Sequence, residues 1–219
     1  MTRTLTVNTF LTLDGVMQAP GGPEEDPSRG FAFGGWSVNY WDDQMGQIMG
    51  DVMGVPFDLV LGRKTYEIFA AHWPHAGDQP GAKELNDATK YVASRTLRSL
   101  DWANSILIEG DVNEGVAALK QQDGPELQVH GSANLIQTLL RGNLIDEFRL
   151  WTFPVVVGPG KRLFADGTIP KGLKLVDSKI STTGVVIATY EPAGEIVTGS
   201  FALEEPTDAE IERRRKQEG

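Results

Sequence analysis

Three turns in the sequence carry residue types that can bind phosphate. The first consists of Gly62, Arg63, Lys64 and Thr65, and it follows the apolar run at 57–61. Glycine allows a ligand to approach the backbone closely, and the free N–H groups of a helix's first turn attract anions. The turn therefore predicts a phosphate site, although an ordinary strand-to-helix turn with solvated Arg and Lys side chains explains it equally well.

The second turn contains Ser94 and Arg95, at the end of a predicted strand over 90–94. A hydroxyl and a guanidinium at a strand end can donate several hydrogen bonds to a phosphate monoester. Taken alone, however, these residues fit a solvated loop better than a binding site.

The third turn is made of small residues that lead into a predicted helix, namely Gly131, Ser132, Ala133 and Asn134. Such a turn lets backbone amides at a helix start bind a pyrophosphate. It lacks the complete G-x-G-x-x-G pattern, and Asn134 could instead serve only as the helix cap.

Carboxylates and aromatic side chains near the N-terminus could contact a substrate. Asp14 and Gly15 follow the opening strand, at the edge where open α/β sheets bind ligands, although an Asp-Gly pair also forms ordinary turns. Asp42 lies in the first turn of a predicted helix, where the helix dipole favours an acid. Trp36 and Tyr40 could wall a planar ligand, and packing in the core explains them equally well.

Composition and charge restrict the classes of partner. The 219 residues carry 20 basic and 30 acidic side chains, a net charge of −10, which argues against a surface for nucleic acid or anionic membrane. The absence of cysteine excludes disulfides, thiolate nucleophiles and iron–sulfur clusters. His72, His75 and His130 lack the spacing of a zinc site, so we predict no metal. With no targeting signal and no apolar segment of membrane length, we expect a soluble cytoplasmic protein.

Predicted strands and helices alternate along most of the chain. Apolar and alternating runs predict strands at 3–11, 57–61, 90–94, 105–108, 127–130 and 148–153, and a closing hairpin over 173–190. Strands that alternate with helices form a mainly parallel sheet covered on both faces, here finished by an antiparallel pair. We therefore predict one α/β domain over residues 1–192.

Three segments lie outside this pattern. Residues 18–35 are rich in glycine, proline and acids, and a loop of this length is usually a functional lid or disordered. Residues 193–219 form a polar tail, in which Thr207 and Glu210 could cap a helix. Residues 158–161 lack the spacing of a P-loop, so we assign them no phosphate.

The ordered set of motifs resembles a known family. The sequence is similar to the dihydrofolate-reductase-like proteins related to the C-terminal reductase domain of riboflavin-biosynthesis enzymes, over about residues 3–192. The motifs that carry the resemblance are Thr12-Leu13-Asp14-Gly15, Leu61-Gly62-Arg63-Lys64-Thr65-Tyr66-Glu67, Val92-Ala93-Ser94-Arg95, Gly131-Ser132-Ala133-Asn134-Leu135, Asp146-Glu147-Phe148-Arg149-Leu150 and the run from Pro154 to Phe164. The zinc-binding deaminase half of the riboflavin enzymes has no counterpart in this sequence.

The resemblance implies a fold, a cofactor and site residues. The fold is a mixed, mostly parallel sheet flanked by helices, with NADPH in a groove over the strand ends and often a homodimer. Carried over residue by residue, the resemblance implies that the first turn (Gly62, Arg63, Lys64, Thr65) holds cofactor phosphates and that the third turn (Gly131, Ser132, Ala133, Asn134) holds the pyrophosphate. It implies that Ser94 and Arg95 contact the 2′-phosphate. It also places Thr12, Asp14 and Gly15 where the nicotinamide meets the substrate.

These implications lead to an expected activity. We expect an NADPH-dependent reductase of a small planar heterocycle, pteridine-like or aminopyrimidine-like, bound near Trp36 and Tyr40. Asp14 is the first candidate for orienting the substrate or a proton-delivering water, and Asp42 is the second. The alternatives are a nucleotide-binding ligand sensor without turnover and a structural dimer module. The apolar segment 150–157 and the family resemblance together predict a homodimer.

Overall fold

The computed structural model describes residues 2–202 and 204–217, which form an eight-stranded sheet with six α-helices. The strands are β1 (Leu5–Thr12), β2 (Phe57–Gly62), β3 (Lys90–Ala93), β4 (Ser105–Leu107), β5 (Glu126–Val129), β6 (Glu147–Phe153), β7 (Leu173–Ile180) and β8 (Val186–Pro192). Their order in the sheet is β4-β3-β2-β5-β1-β6-β8-β7. The first six run parallel, and β8 joins β6 and β7 in antiparallel pairs. The predicted fold class is therefore confirmed.

The helices are α1 (Asp43–Met53), α2 (Arg63–His72), α3 (Ala82–Asp87), α4 (Val112–Lys120), α5 (Ala133–Arg141) and α6 (Asp208–Gln217). The predicted caps of α4 and α6 both form. Asp111 accepts hydrogen bonds from the amides of Asn113 and Glu114, at 2.8 and 3.1 Å. Thr207 accepts one from Glu210 at 3.3 Å. None of the helices within the described ranges is long and apolar enough to cross a membrane.

The two faces of the sheet bury different residues. On one face, Leu5 and Val7 of β1 and Leu127 of β5 pack against α4 and α5. The opposite face holds two apolar clusters: one around β2 and β3 with α2 and α3, the other around Trp151 and Phe153 with α1. Between these two clusters, β5 and the first halves of β1 and β6 carry polar residues on this face, namely Thr6, Asn8, Gln128 and Arg149.

Half of the residues in the apolar segment 150–157 are buried, whereas Pro154 and Val156 are exposed. Trp151 and Phe153 are fully buried, and Leu150 and Val157 are nearly so, because alternate residues of β6 face the two cores. The segment therefore offers little exposed apolar surface for a contact between copies, and the homodimer stays a prediction. Extended exposed apolar surface occurs instead on β7, every residue of which is exposed.

The loop at 18–35 packs onto the domain. Ala19, Phe31 and Trp36 are buried in the cluster around Phe153, so this part of the chain contributes to the core. The tail behaves differently: residues 193–202 are exposed, and α6 has no buried residue.

Candidate functional site

A cleft of about 440 Å³ opens between the first turns of α2 and α5 and the segment 158–166. Four cations line this cationic cleft, namely Arg29, Lys64, Lys161 and Arg162, and the carboxylate of Asp166 lies among them. Ser132, Ala133 and Asn134 of the third turn also line it. Two of the three sequence-predicted turns thus meet at one site.

Two glycines allow these turns to pack against each other. The Gly62 amide donates to the Gly131 carbonyl at 3.1 Å. A Cβ on Gly62 would clash with Ser132 Oγ and lie 3.0 Å from the Ser132 amide nitrogen, and a Cβ on Gly131 would lie 2.6 Å from Thr65 Oγ1. The glycines are therefore required by the close approach of the starts of α2 and α5.

Both helices begin at the cleft without a side-chain cap. Gly62 occupies the N-cap position of α2 and has no side chain, and Ser132 at the N-cap position of α5 accepts no hydrogen bond from the first turn. By contrast, Asp42 and Asp111 cap α1 and α4 with their carboxylates. Uncapped first-turn amides are free to bind an anion, so this cleft fits a phosphate group. Asn134 is not the cap, which excludes the alternative explanation for that residue.

Ser94 and Arg95 follow β3, beside the first turn, because Ala93 pairs with Gly62. Ser94 Oγ accepts hydrogen bonds from the amides of Thr96 and Leu97 at 3.2 and 3.0 Å, which leaves its hydroxyl hydrogen free to donate. Arg95 is exposed. Both residues lie at the strand-end edge of the sheet but outside the lining of the cationic cleft.

Asp14 is held by donors of its own chain. Its carboxylate accepts hydrogen bonds from the Thr12 hydroxyl at 2.6 Å and the Gly158 amide at 2.9 Å, and Arg162 lies 3.5 Å away. Desolvation by burial opposes ionisation, but these hydrogen bonds and that of the Val157 amide outweigh it and lower the pKa of Asp14 from 3.8 to about 2. The ionised carboxylate thus fastens the segment after β6 onto the turn after β1. Gly15, with φ +80°, supplies the left-handed residue of that turn.

Asp42 joins two elements away from the cationic cleft. One carboxylate oxygen caps α1 through the Met45 amide at 2.8 Å, and the other accepts from the amide and hydroxyl of Thr182 at 2.8 and 2.7 Å. The Thr182 hydroxyl and the Met45 amide lower the pKa of Asp42. Asp42 thereby ties the β7–β8 turn to the start of α1.

The two predicted aromatic wall residues pack around Phe153. Trp36 is 9% exposed, donates from Nε1 to the Gln18 carbonyl at 2.8 Å and meets the Phe153 ring edge-on at 5.3 Å. Tyr40 meets the same ring at 6.1 Å. Trp41, which is more exposed, stacks on Trp151 with an interplanar angle of 5°.

The polar part of the sheet was not identified from the sequence. Alternate residues of β1, β5 and β6 place Thr6, Asn8, Gln128, His130 and Arg149 on one face, which we call the polar strip. Thr6 Oγ1, Asn8 Nδ2 and the neighbouring Trp151 Nε1 are buried without a hydrogen-bond partner. Polar residues at every second strand position indicate a solvated face, so the sequence pattern does not predict that Thr6, Asn8 and Gln128 are buried.

His130 is kept neutral within the strip. Burial, together with the nearby charge of Arg149, lowers the pKa of His130 from 6.5 to about 4, and its Nε2 lies 3.1 Å from Gln128 Oε1. Arg149 forms ion pairs with Glu147 at 2.7 Å and Glu126 at 3.4 Å. Burial raises the pKa of Glu147 despite that pairing.

A second cavity, of about 280 Å³, lies between α1 and this strip. Its lining includes Ile48 and Val52 of α1, Gln128 of β5, Arg149 of β6 and Thr189 of β8. We call it the sheet pocket. Gln128 is four positions before Ser132 of the cationic cleft, a distance of about 13 Å along an extended chain. Among the described residues, no cluster of three or more His, Cys, Asp or Glu side chains could hold a metal ion.

Comparison with known proteins shows what this chain resembles. The Bacillus subtilis (strain 168) uncharacterised protein YyaP is 32% identical over 197 residues, which is 86% of this chain and 94% of YyaP. A candidate riboflavin biosynthesis protein from Shewanella sp. PV-4 has a similar structure, with a TM-score of 0.62, 21% identity and coverage of 87% of this chain and 99% of that one.

An Enterococcus faecalis dihydrofolate reductase, solved in complex with NADP(H) and RAB-propyl, also shares the fold. Its TM-score is 0.54 at 14% identity, and the match covers 86% of this chain and 96% of the reductase. The family model of the RibD C-terminal domain matches residues 3–189. The chain therefore belongs to the RibD C-terminal domain family and has a dihydrofolate-reductase-like fold.

Proposed function

We propose that the protein is an NADPH-dependent reductase of a small planar heterocycle, pteridine-like or aminopyrimidine-like. The observation that carries this proposal is the pair of uncapped helix starts packed together at the cationic cleft. That arrangement suits the diphosphate of a dinucleotide, and a reductase of the same fold was solved with NADP(H). When bound, the cofactor supplies the hydride.

The chain offers distinct groups for each phosphate of the cofactor. The first-turn amides of α2 and α5, with Thr65 and Ser132, suit the diphosphate. Ser94 and Arg95, beside them at the end of β3, suit the 2′-phosphate that distinguishes NADPH from NADH. Arg63 and Lys64 are both paired with Glu67, at 3.3 and 3.1 Å, so their charge is already partly compensated.

Two residues of the polar strip, Gln128 and Arg149, line the sheet pocket and support a substrate site there. The amide of Gln128 and the guanidinium of Arg149 carry N–H groups that can donate to a ligand. A planar heterocycle with carbonyl or ring-nitrogen acceptors satisfies such donors. We therefore propose that the substrate binds in the sheet pocket against Gln128 and Arg149, whereas Trp36 and Trp41 lie outside its lining.

Neither aspartate that we selected from the sequence carries a proton at neutral pH. The pKa of Asp14 lies at about 2, and hydrogen bonding lowers that of Asp42 as well. The role that remains for Asp14 is to position the segment beside the cleft and to orient water, which delivers the proton. His130 is also neutral, and its Nε2 lies 3.1 Å from Gln128 Oε1, so it orients the Gln128 amide without adding charge.

The test combines binding with turnover. We expect the purified protein to quench or shift NADPH fluorescence on titration and to oxidise NADPH with at least one member of a panel of pterins and aminopyrimidines. Failure to bind NADPH at millimolar concentration would contradict the proposal. Binding without turnover by any panel member would favour the ligand sensor.

A further inference from the structure

We propose that Arg29, on the loop at 18–35, is the cation that binds the cofactor diphosphate across the cationic cleft from α2 and α5. This inference rests on the proposed function, and it adds a residue to the sequence-based assignment, which gave the diphosphate to the third turn and cofactor phosphates to the first turn. Arg29 lies in the lining of the cleft together with Ser132 and Asn134.

The pairing of the other cations singles out Arg29. Lys64 pairs with Glu67 at 3.1 Å, Lys161 pairs with Asp26, and Arg162 lies 3.5 Å from Asp14. Within the described part of the chain, Arg29 alone of the four lining cations has no carboxylate partner. A carboxylate already bound to a cation reduces what that cation can offer to a phosphate, whereas a free guanidinium can bind one bidentately.

The loop holds Arg29 at the cleft through side chains that are themselves fixed. Gln18, 4% exposed, donates to the carbonyls of Asp26 and Ser28 at 2.9 and 3.0 Å and accepts from the Lys161 amide at 3.1 Å. Lys161 Nζ bonds to Asp26 and also donates to Ser28 Oγ at 2.9 Å. Lys161 is therefore a positioning residue, because its charge is used to place the turn that carries Arg29.

The residues after Arg29 fix the other side of the turn. Phe31 is buried, and a Cβ on Gly160 would lie 2.5 Å from Val16 Cγ1 and 3.2 Å from the Phe31 ring. The glycine at 160 thus allows the segment beside the cleft to pack against Val16 and Phe31. Arg29 itself has φ +60°, a left-handed conformation that few residues other than glycine adopt. It lies between Ser28, which is hydrogen-bonded to Gln18 and Lys161, and the buried Phe31.

Two features of the local charge bear on the ligand. Asp166 faces the same cleft, so an anion needs an uncompensated cation to offset that carboxylate. The chain as a whole carries a net charge of −10, which repels a dinucleotide at longer range. An arginine without a carboxylate partner at the cleft locally offsets both the Asp166 carboxylate and the net negative charge, and so allows a diphosphate to bind.

The experiment compares Arg29→Gln with Arg215→Gln, an exposed arginine of α6 outside the lining of the cleft. Titrations use NADPH, NADH and inorganic pyrophosphate. We expect Arg29→Gln to weaken all three about ten- to a hundredfold, as for the loss of a charge-assisted hydrogen bond. The thermal midpoint should not change, and the loss should shrink as salt is raised. Arg215→Gln should bind like wild type.

The outcomes separate this inference from the proposed function. Equal affinities of wild type and Arg29→Gln for pyrophosphate and NADPH would overturn the role of Arg29 while leaving the reductase intact. Arg29-dependent binding of pyrophosphate without any binding of NADPH would support the anion site and contradict the reductase. Loss of NADPH binding with unchanged NADH and pyrophosphate binding would assign Arg29 to the 2′-phosphate and overturn the inference.

A second variant tests the positioning of the loop. Lys161→Met frees Asp26 and Ser28 while leaving Arg29 in the sequence. We expect it to weaken pyrophosphate binding as Arg29→Gln does, and the double variant should bind no more weakly than Arg29→Gln alone. Additive losses would mean that Lys161 binds the anion directly, which would contradict its positioning role.

Discussion

Individual charges at the strand ends serve two purposes in this protein. Asp14 and Lys161 hold loops in place, because Asp14 accepts a hydrogen bond from the Gly158 amide and Lys161 donates one to Asp26. Arg29 and Arg95 are exposed and remain available to a ligand. The residue type alone does not distinguish these purposes, because the partners lie over a hundred residues away: the bond between the Gly158 amide and Asp14 spans 144 positions.

The first residue-scale prediction concerns the choice of cofactor. Arg95→Gln should weaken NADPH binding about ten- to a hundredfold, because one charge-assisted hydrogen bond to the 2′-phosphate is lost. NADH affinity should be unchanged, since NADH lacks that phosphate, and it serves as the internal control. The measurement is a titration of both cofactors at fixed ionic strength. An equal loss for both would assign Arg95 to the fold or to the diphosphate.

The second residue-scale prediction concerns acid stability. The pKa of His130 is about 4 in the folded protein against 6.5 for the free side chain, so the unfolded state binds the proton first as pH falls. The stability that the neutral ring provides is present above pH 6.5 and is lost between pH 6.5 and 4. Between pH 7 and 5, wild type should lose about 1–2 kcal/mol from this group.

Urea unfolding at pH 7 and pH 5 measures that loss. His130→Gln should be less stable than wild type at pH 7 but should lose less on acidification. His75→Gln, at an exposed position, is the matched control and should behave as wild type. If wild type and His130→Gln showed the same pH dependence, folding would not lower the pKa of His130, and the prediction would be contradicted.

At the scale of elements, the strands of the core and the clustering of two turns could be predicted from sequence, because apolar runs and glycines are local signals. The six-residue helix α3 is too short to show a period, and it was not predicted. The polar strip was missed because Thr6 and Asn8 alternate with Leu5 and Val7 as in a strand with one solvated face. The strip faces elements that are distant in the chain, since α1 borders the sheet pocket opposite Gln128 and Arg149.

The element-scale prediction tests the packing of α2 against α5. Gly62 has φ −72°, which alanine also adopts, so Gly62→Ala should act only through its contact with Ser132. We expect it to separate the two helix starts, to cost about 1–3 kcal/mol of unfolding free energy and to weaken pyrophosphate binding. Thermal unfolding and titration report these two effects.

Gly50→Ala in α1 provides the matched control for that substitution. A Cβ at Gly50 meets nothing within 4 Å, so alanine there should stabilise the helix slightly and leave ligand binding unchanged. The packing argument would fail if Gly62→Ala bound pyrophosphate and melted like wild type.

At the scale of the whole molecule, the edge of the sheet determines how copies of the chain can associate. β7 is an edge strand, and its outer backbone groups are unpaired within the sheet. Leu175, Ile180 and Val186 share one face of the β7–β8 hairpin and are 51%, 65% and 38% exposed. We propose that the predicted homodimer forms through this hairpin.

The final prediction tests this interface against the one expected from sequence. Light scattering of wild type at micromolar concentration should give the mass of a dimer, and Leu175→Lys with Ile180→Glu should give a monomer, because charges on an apolar contact face oppose its desolvation. Val156→Lys is the matched control: Val156 is 66% exposed and belongs to the segment 150–157, so its variant should remain dimeric. A monomeric wild type would contradict the dimer itself. A dimer that persisted in the double variant but was lost in Val156→Lys would place the interface at the end of β6 instead. That outcome is not expected, because Trp151 and Phe153 are buried there and leave little apolar surface for a contact.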